Sequence, residues 1–325
     1  MMDKYFILLL LKCNKIENDR RDFMNITAKA YTAITLQSLI TGFSFLALKI
    51  ALRSADTMDL LAHRFTLAAL SVLIFTLFRR SSLTIHLRDF LRILPYGIIY
   101  PIIFFLFQTL GMTQISSSEA GIIYAVVPIF TLIIAGLLLK ERIQKIQAVF
   151  MLLSIGGVIF INLMNGFQLS GYSFIGFGLI IVSAVSLALY NVLVRRLSAD
   201  YTPFTIACAM SIMGFLFFNA VAAGRHAAAG TLTEFFRPFT DATFLLSIFF
   251  LGVLSSLITS LLSAYALKAL PAVHVGLFNN VATIVSVLAG TIFLSEPFYW
   301  YHFIGIAAIL AGTVAFNLVS SKKEQ

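Results

Sequence analysis

The sequence predicts an all-α integral membrane protein of ten transmembrane helices arranged as two inverted five-helix repeats. Three observations carry this. Of the 325 residues, 60% are hydrophobic and 11% charged, with a mean hydropathy of +0.96; soluble domains carry about 25% charged residues. A chain of this size cannot hide so much apolar surface in one soluble core. The apolar residues also fall into ten runs, each near the roughly 20 residues that a helix needs to cross a bilayer, and the basic residues cluster between the runs in alternate loops.

Taken in order, residues 1–30 are polar apart from Tyr5 to Leu11, a run too short to span and without a signal-peptide cleavage site. They read as an N-terminal cytoplasmic tail, with 1–23 alternatively an over-long start ahead of Met24. The apolar segments follow at 31–52, 60–78, 93–111, 119–139, 146–163, 174–194, 203–223, 244–267, 274–294 and 303–319, and 320–325 form a C-terminal tail. Only helices or closed barrels satisfy their backbone in lipid, and continuous runs without period-2 alternation favour helices. Connections are short except 224–243, which reads as a surface excursion.

Eighteen of the 23 Lys and Arg fall in segments that share one side of the membrane, against Arg53, Arg225 and Arg237 on the other. This bias places both termini in the cytoplasm and requires an even number of spans. The expected location is a bacterial plasma (inner) membrane, with multiple passes. The net charge of +9 is thus an orientation signal, since no basic stripe of the kind that binds nucleic acid is present. Cys13 and Cys208 make neither a disulfide framework nor a metal cluster.

A repeat sets the architecture. Residues 119–163 lie over 274–318 without a gap at an offset of 155, matching Gly121/Gly276, Val126/Val281, Ile129/Ile284, Leu139/Leu294, Glu141/Glu296, Gly157/Gly312, Asn162/Asn317 and Leu163/Leu318. Upstream, Ser54-Ala55-Asp56 matches Ser198-Ala199-Asp200 at 144, so 11 residues are inserted between the anchors, with 224–243 the natural place. The repeats are 31–163 and 174–319. Five helices per copy invert the second copy, which suits alternating access around a site at the membrane midplane.

The residues resemble the EamA-like members of the drug/metabolite transporter superfamily over about residues 30–319. The resemblance is carried by Glu119-Ala-Gly-Ile-Ile-Tyr-Ala-Val-Val-Pro128, Leu137-Leu-Leu-Lys-Glu141-Arg, Gln147, Gly156-Gly157-Val158, Gly42-Phe-Ser-Phe-Leu-Ala-Leu-Lys49 and Arg64. Two positions depart: Thr283 stands where the first copy has Pro128, and Thr41 where Trp is common in helix 1. The first puts in doubt that both halves bend alike. The resemblance implies a secondary transporter of small metabolites, amino acids or related amphipathic compounds, often moved outward, without naming a cargo.

Polar groups within the spans are the candidate substrate site, because an ionisable side chain at the bilayer centre costs at least ~2.5–3.5 kcal/mol. Lys49 and Arg64 admit two readings, snorkelling to the interface or holding an anionic group in the cavity, with Asp56 or Asp59 as pairing partners. The neutral set is Gln37, Thr41 and Ser44, Tyr100 and Gln108, Tyr124, Tyr190 and Asn191, Ser256 and Thr259, and Asn279 and Asn280. These suit a zwitterionic or polar-plus-apolar solute, or serve as inter-helix hydrogen bonds. Pro128 is expected to bend helix 4. Glu141 and Glu296 close helices 4 and 9 on opposite sides, either tied structurally to neighbouring backbone and basic groups or carrying a coupling proton. Ser116 and Glu119 read as a capping box. Gly121/Ala125 and Ala308/Gly312 give spacings for close helix contact.

No nucleotide loop and no H-E-x-x-H motif occurs, and the five histidines (63, 86, 226, 274, 302) are scattered. The chain is therefore expected to be no enzyme and to use no cofactor or metal; its expected partners are a small-molecule substrate and the lipid bilayer. The competing reading is a membrane-embedded enzyme or scaffold in the same bundle.

Overall fold

The computed structural model describes residues 2–79, 87–115, 120, 123–124, 126–141, 143–164, 173–293 and 298–321, with 2–25 as backbone only. Ten helical segments follow one another: α1 (Met2–Ala51), α2 (Thr57–Arg79), α3 (Arg88–Gln114), α4 (Val127–Leu138), α5 (Lys145–Met164), α6 (Ser173–Leu197), α7 (Pro203–Ala229), α8 (Ala242–Ala269), α9 (Ala272–Phe293) and α10 (Trp300–Ser321). Among the described residues eight are long and apolar enough to cross a membrane, and α4 and α5 are shorter apolar helices. Phe78, Leu137, Ile292 and Phe303 are large apolar side chains standing exposed. That outward face matches lipid rather than water.

Two helix boundaries differ from the sequence expectation. The backbone is helical from Met2 rather than from 31, since residues 2–41 contain no Gly or Pro to stop it. The seventh helix continues through Ala227–Ala229 instead of ending at 223, and stops at Gly230, whose φ of +68° suits glycine. The surface excursion is ordered beyond it as one helical turn, Leu232–Phe235, and a 3-10 turn, Arg237–Thr240.

The fourth helix is also not the single span 119–139. A turn interrupts it, with the Val126 N–H on the Ile123 carbonyl at 3.2 Å, and α4 starts afresh at Val127. Pro128 therefore sits in a first turn, where its missing N–H costs nothing, and does not bend a continuous helix. The second copy makes the same turn without proline. The Val281 N–H bonds the Phe278 carbonyl at 3.0 Å, between Ala272–Leu277 and Asn279–Phe293. These pairs lie 155 residues apart. Asn279-Asn280, weak helix formers, stand where the first copy uses Pro128 nearby.

The α5–α10 contact shows the inverted relation directly. A Cβ on Gly157 would meet the Gly305 carbonyl at 2.7 Å, and one on Gly312 would meet the Phe150 carbonyl at 2.5 Å. Residues 312 and 150 are the 155-residue counterparts of 157 and 305. The two contacts are thus one contact generated twice by a two-fold axis, between antiparallel helices. Ser154 and Thr313 hydroxyls join across the same seam at 3.1 Å. Helices α3 and α8 also correspond: each has a π-helical stretch, Ile98–Ile103 and Phe250–Ile258, beside Gly97 and Gly252. The 11 extra residues split, since α2 starts three residues after Ser54 whereas α7 starts five after Ser198; the rest lie in the longer α7 and in the connection that follows it.

Opposite ends of the bundle carry different ties. At one end, Asp56 and Asp59 meet Arg225 and His226, and Ser54 donates to Asp241 Oδ2 at 2.6 Å. At the other, Glu141 meets Arg195 and the start of α9. Tyr31 on α1 donates to Asn317 on α10 at 3.1 Å beside His274 of α9, so the first and last spans begin and finish at the Glu141 end.

Candidate functional site: a buried arginine among hydroxyls and aromatic rings

Arg64 is 2% exposed, in the interior between α2, α3 and α8. Its Nε donates to Ser256 Oγ at 2.7 Å, and Nη2 donates to Ser255 Oγ at 3.1 Å and the Ser255 carbonyl at 3.3 Å. The guanidinium carbon stands 4.1 Å from the centre of the Phe105 ring. The local sequence explains the donors' targets. The wide π turn of α8 sends Ser256 Oγ to the Leu251 carbonyl at 2.9 Å and turns Ser255 and Ser256 together toward α2. Gly252 lets α8 approach, since a Cβ there would lie 2.7 Å from the Arg64 carbonyl.

Among the described residues no carboxylate lies within ion-pair distance of Arg64, so neutral dipoles and a ring face hold its charge. Asp56 and Asp59 do not pair with Arg64 or Lys49, contrary to the sequence expectation. Asp59 joins His226 and Asp56 joins Arg225. Five residues along a helix turn the chain about 140° past a full turn, so Asp59 faces α7 while Arg64 faces α3 and α8. Lys49 is exposed, which fits snorkelling.

Aromatic rings continue the site. Helix α3 breaks at Tyr100, whose backbone is extended (φ −146°, ψ 118°), as a residue before proline prefers. Tyr100 stacks on Tyr190 of α6 at 4.0 Å and contacts Phe105 at 5.1 Å. The Tyr190 hydroxyl lies near Ser260 and Ser263 without completing a hydrogen bond. Beyond, Tyr124 and Ser183 hydroxyls join at 2.8 Å, Ser183 donates to the Phe104 carbonyl at 2.9 Å, and Gln108 lies beside Tyr124. Buried polar atoms without a partner are rare in native proteins. Here the Tyr190 hydroxyl, Ser260 Oγ, Thr109 Oγ1 and Asn191 Nδ2 have none among the described residues.

Of the residues picked from sequence, the structure brings Arg64, Tyr100, Gln108, Tyr124, Tyr190 and Ser256 into this region, with Thr259 donating to the Ser255 carbonyl at 2.7 Å. It gives others different surroundings. The Thr41 carbonyl accepts from Ser44, and Asn280 Nδ2 donates to Ser154 Oγ at 3.2 Å, tying α9 to the α5–α10 seam. Gln37 Oε1 and Asn280 Oδ1 are buried without partners among the described residues, and Asn279 is half-buried. Glu296, Ser116 and Glu119 lie outside the described residues. Ser255 and Phe105 escaped the sequence reading, because an apolar ring and one serine among many give no signal until a cation is placed beside them.

Glu141 ties the two copies. Lys140 takes a left-handed turn (φ +57°), and Glu141 Oε1 accepts from the Ala272 N–H at 3.4 Å, 3.7 Å from Arg195 Nε. Arg195 in turn donates to the Leu267 carbonyl at 2.8 Å. Burial raises the Glu141 carboxyl above its ordinary 4.5, and the Ala272 N–H and Arg195 offset this only in part. The folded protein therefore binds this proton more tightly than the unfolded chain, and stability falls as pH rises from about 4.5 through the raised value. Glu141→Gln is expected to flatten that stretch of a melting-temperature profile recorded between pH 4 and 7.

A model of the family described as EamA-like transporter family matches this chain twice, over residues 28–163 and 174–318. The chain is 45% identical over 294 residues to an uncharacterized transporter, YcxC, of Bacillus subtilis, covering 90% of this chain and 94% of that one. It is 28% identical over 286 residues to an uncharacterized transporter of Archaeoglobus fulgidus, covering 87% and 97%. A solved crystal structure, 18% identical, superposes with a TM-score of 0.71 over 93% of this chain and 99% of its own, a likeness of fold. Two matches to one model, together with a relative this similar along nearly its whole length, place the chain in the EamA-like transporter family as a multi-pass membrane protein.

Proposed function

We propose that the chain is a secondary transporter of small amphipathic solutes bearing an anionic group, such as amino acids, and that the anionic group binds Arg64. The observation that carries this reading is a buried guanidinium whose neighbours are hydroxyls, a carbonyl and a ring, with no carboxylate among the described residues. A buried charge without an opposite charge costs several kcal/mol, and a substrate anion would supply the missing partner as a charge-assisted hydrogen bond. The stacked Tyr100 and Tyr190 rings and Phe105 offer the solute's apolar part a wall.

The repeats, 31–163 and 174–319, rock about the site in alternating access. The 18-to-3 charge bias supports both termini in the cytoplasm of a bacterial inner membrane, with the Asp56 end outside. Outward movement is the direction the family resemblance implies.

A thermal-stability screen of the purified protein tests the head-group assignment with three compounds sharing one ring: benzoate, phenylalanine and phenethylamine. Benzoate and phenylalanine are expected to raise the melting temperature, and phenethylamine to leave it unchanged. Equal stabilisation by the amine would contradict the assignment.

A further inference from the structure

We propose that the Asp59–His226 pair, at the Asp56 end, is a proton-binding site that operates this mouth of the bundle. The inference rests on the transporter reading for its biological use but not for its chemistry. His226 and Asp59 are both buried, and both ring nitrogens are engaged. Nε2 lies 3.0 Å from each Asp59 oxygen, and Nδ1 lies 2.8 Å from Thr231 Oγ1. A carboxylate only accepts, so Nε2 carries hydrogen whether the ring is neutral or charged. A threonine hydroxyl both donates and accepts. In the neutral ring Nδ1 accepts from Thr231, and in the charged ring Nδ1 donates to it. One geometry therefore holds both protonation states of the ring.

What changes between the states is the sharing of Arg225. Its guanidinium bonds Asp56 and stands 4.0 Å from Asp59 Oδ1. With His226 neutral, Arg225 is the cation facing two carboxylates. With His226 charged, Asp59 has its own cation and Arg225 is left to Asp56. The other charged or titratable groups here are His63 on α2, Glu234 and Arg237 on the turns after α7, and Asp241 at the start of α8, which Ser54 and Thr243 hold down at about 2.

Solvent reaches the pair through an open cavity of about 420 Å³ lined by Asp56, Asp59, Arg225, His226 and Thr231 among others. The pair ties α2 of the first repeat to α7 of the second. Thr231 carries the tie into the turn, which His63 also grips by donating from Nε2 to the Phe235 carbonyl at 2.9 Å. Arg64 follows His63 directly on α2.

Hydrogen–deuterium exchange of the full chain in lipid nanodiscs, corrected for intrinsic rates, tests this between pH 5 and 8. In the wild type, protection of residues 225–241 is expected to change several-fold with a single midpoint. His226→Gln is expected to flatten the profile, and Asp59→Asn to move the midpoint down by one pH unit or more, because the charged ring loses its counter-ion. A flat wild-type profile, or an unmoved midpoint in Asp59→Asn, would overturn the proposal, and the second criterion decides even where His226→Gln does not fold. Failure of the transporter reading is separate: it shows as no flux of phenylalanine or benzoate in proteoliposomes at any pH.

Discussion

Arg64→Met is expected to abolish binding of carboxylate solutes while leaving the fold as stable as the wild type, or more so. The two effects have different causes. Removing one partner of a buried, hydrogen-bonded charge pair costs about 2–5 kcal/mol, roughly 30-fold to several-thousand-fold in affinity. Stability moves the other way because the unliganded protein has no carboxylate on Arg64 among the described residues, so a desolvation cost is removed without breaking an ion pair. Replacing buried charge by apolar groups of similar volume is often neutral or stabilising by about 1–4 kcal/mol. Ser256 still donates to the Leu251 carbonyl and the Ser255 carbonyl still accepts from Thr259, so among the described residues only the Ser255 hydroxyl loses its partner. Titration calorimetry and thermal melts on the same preparation check both halves. A large loss of stability would mark Arg64 as structural. Arg64→Lys keeps the charge but loses the planar fork, and is expected to recover binding only in part.

Gly157→Leu and Gly312→Leu are each expected to destabilise the bundle by about 3 kcal/mol, at the top of the usual range for overpacking. The nearest atoms that a new side chain meets are backbone: the Gly305 carbonyl in one case, the Phe150 carbonyl and Ser154 nitrogen in the other. These cannot swing aside without parting α5 from α10. The two substitutions are symmetry mates, so their costs should be similar. The control is the neighbouring Gly156, where an added Cβ meets nothing within 4 Å. Gly156→Leu is expected to change stability by less than about 0.5 kcal/mol. Denaturation in mixed micelles with all three variants checks this, and a Gly156 effect equal to that of Gly157 would contradict the seam.

The same residues show what could be read from sequence. Hydropathy and loop charge give the helices because lipid imposes length and composition on every span. The repeat is legible mainly through the polar pairs Glu141/Glu296 and Asn162/Asn317, and the structure gives Gly157/Gly312 its reason, since close backbone approach leaves little choice of residue. Breaks inside helices were harder. Pro128 points to the right segment but for a bend, whereas the turn closed by the Val126 N–H on the Ile123 carbonyl precedes it, and its mate between Phe278 and Val281 has no proline to announce it. Arg64 stood out as a charge in a span, yet its partners Ser255 and Phe105 depend on how α8 and α3 widen locally. Asp59 and His226 are 167 residues apart and meet only once α2 and α7 pack.

Flux through the reconstituted protein tests the central claim most directly. Proteoliposomes are loaded with labelled phenylalanine or benzoate, and efflux and exchange are followed for wild type, Arg64→Gln and protein-free vesicles. The account predicts saturable flux in the wild type, close to protein-free background in Arg64→Gln, with phenethylamine not competing. Wild-type flux that Arg64→Gln leaves unchanged, or no flux of either carboxylate, would contradict it.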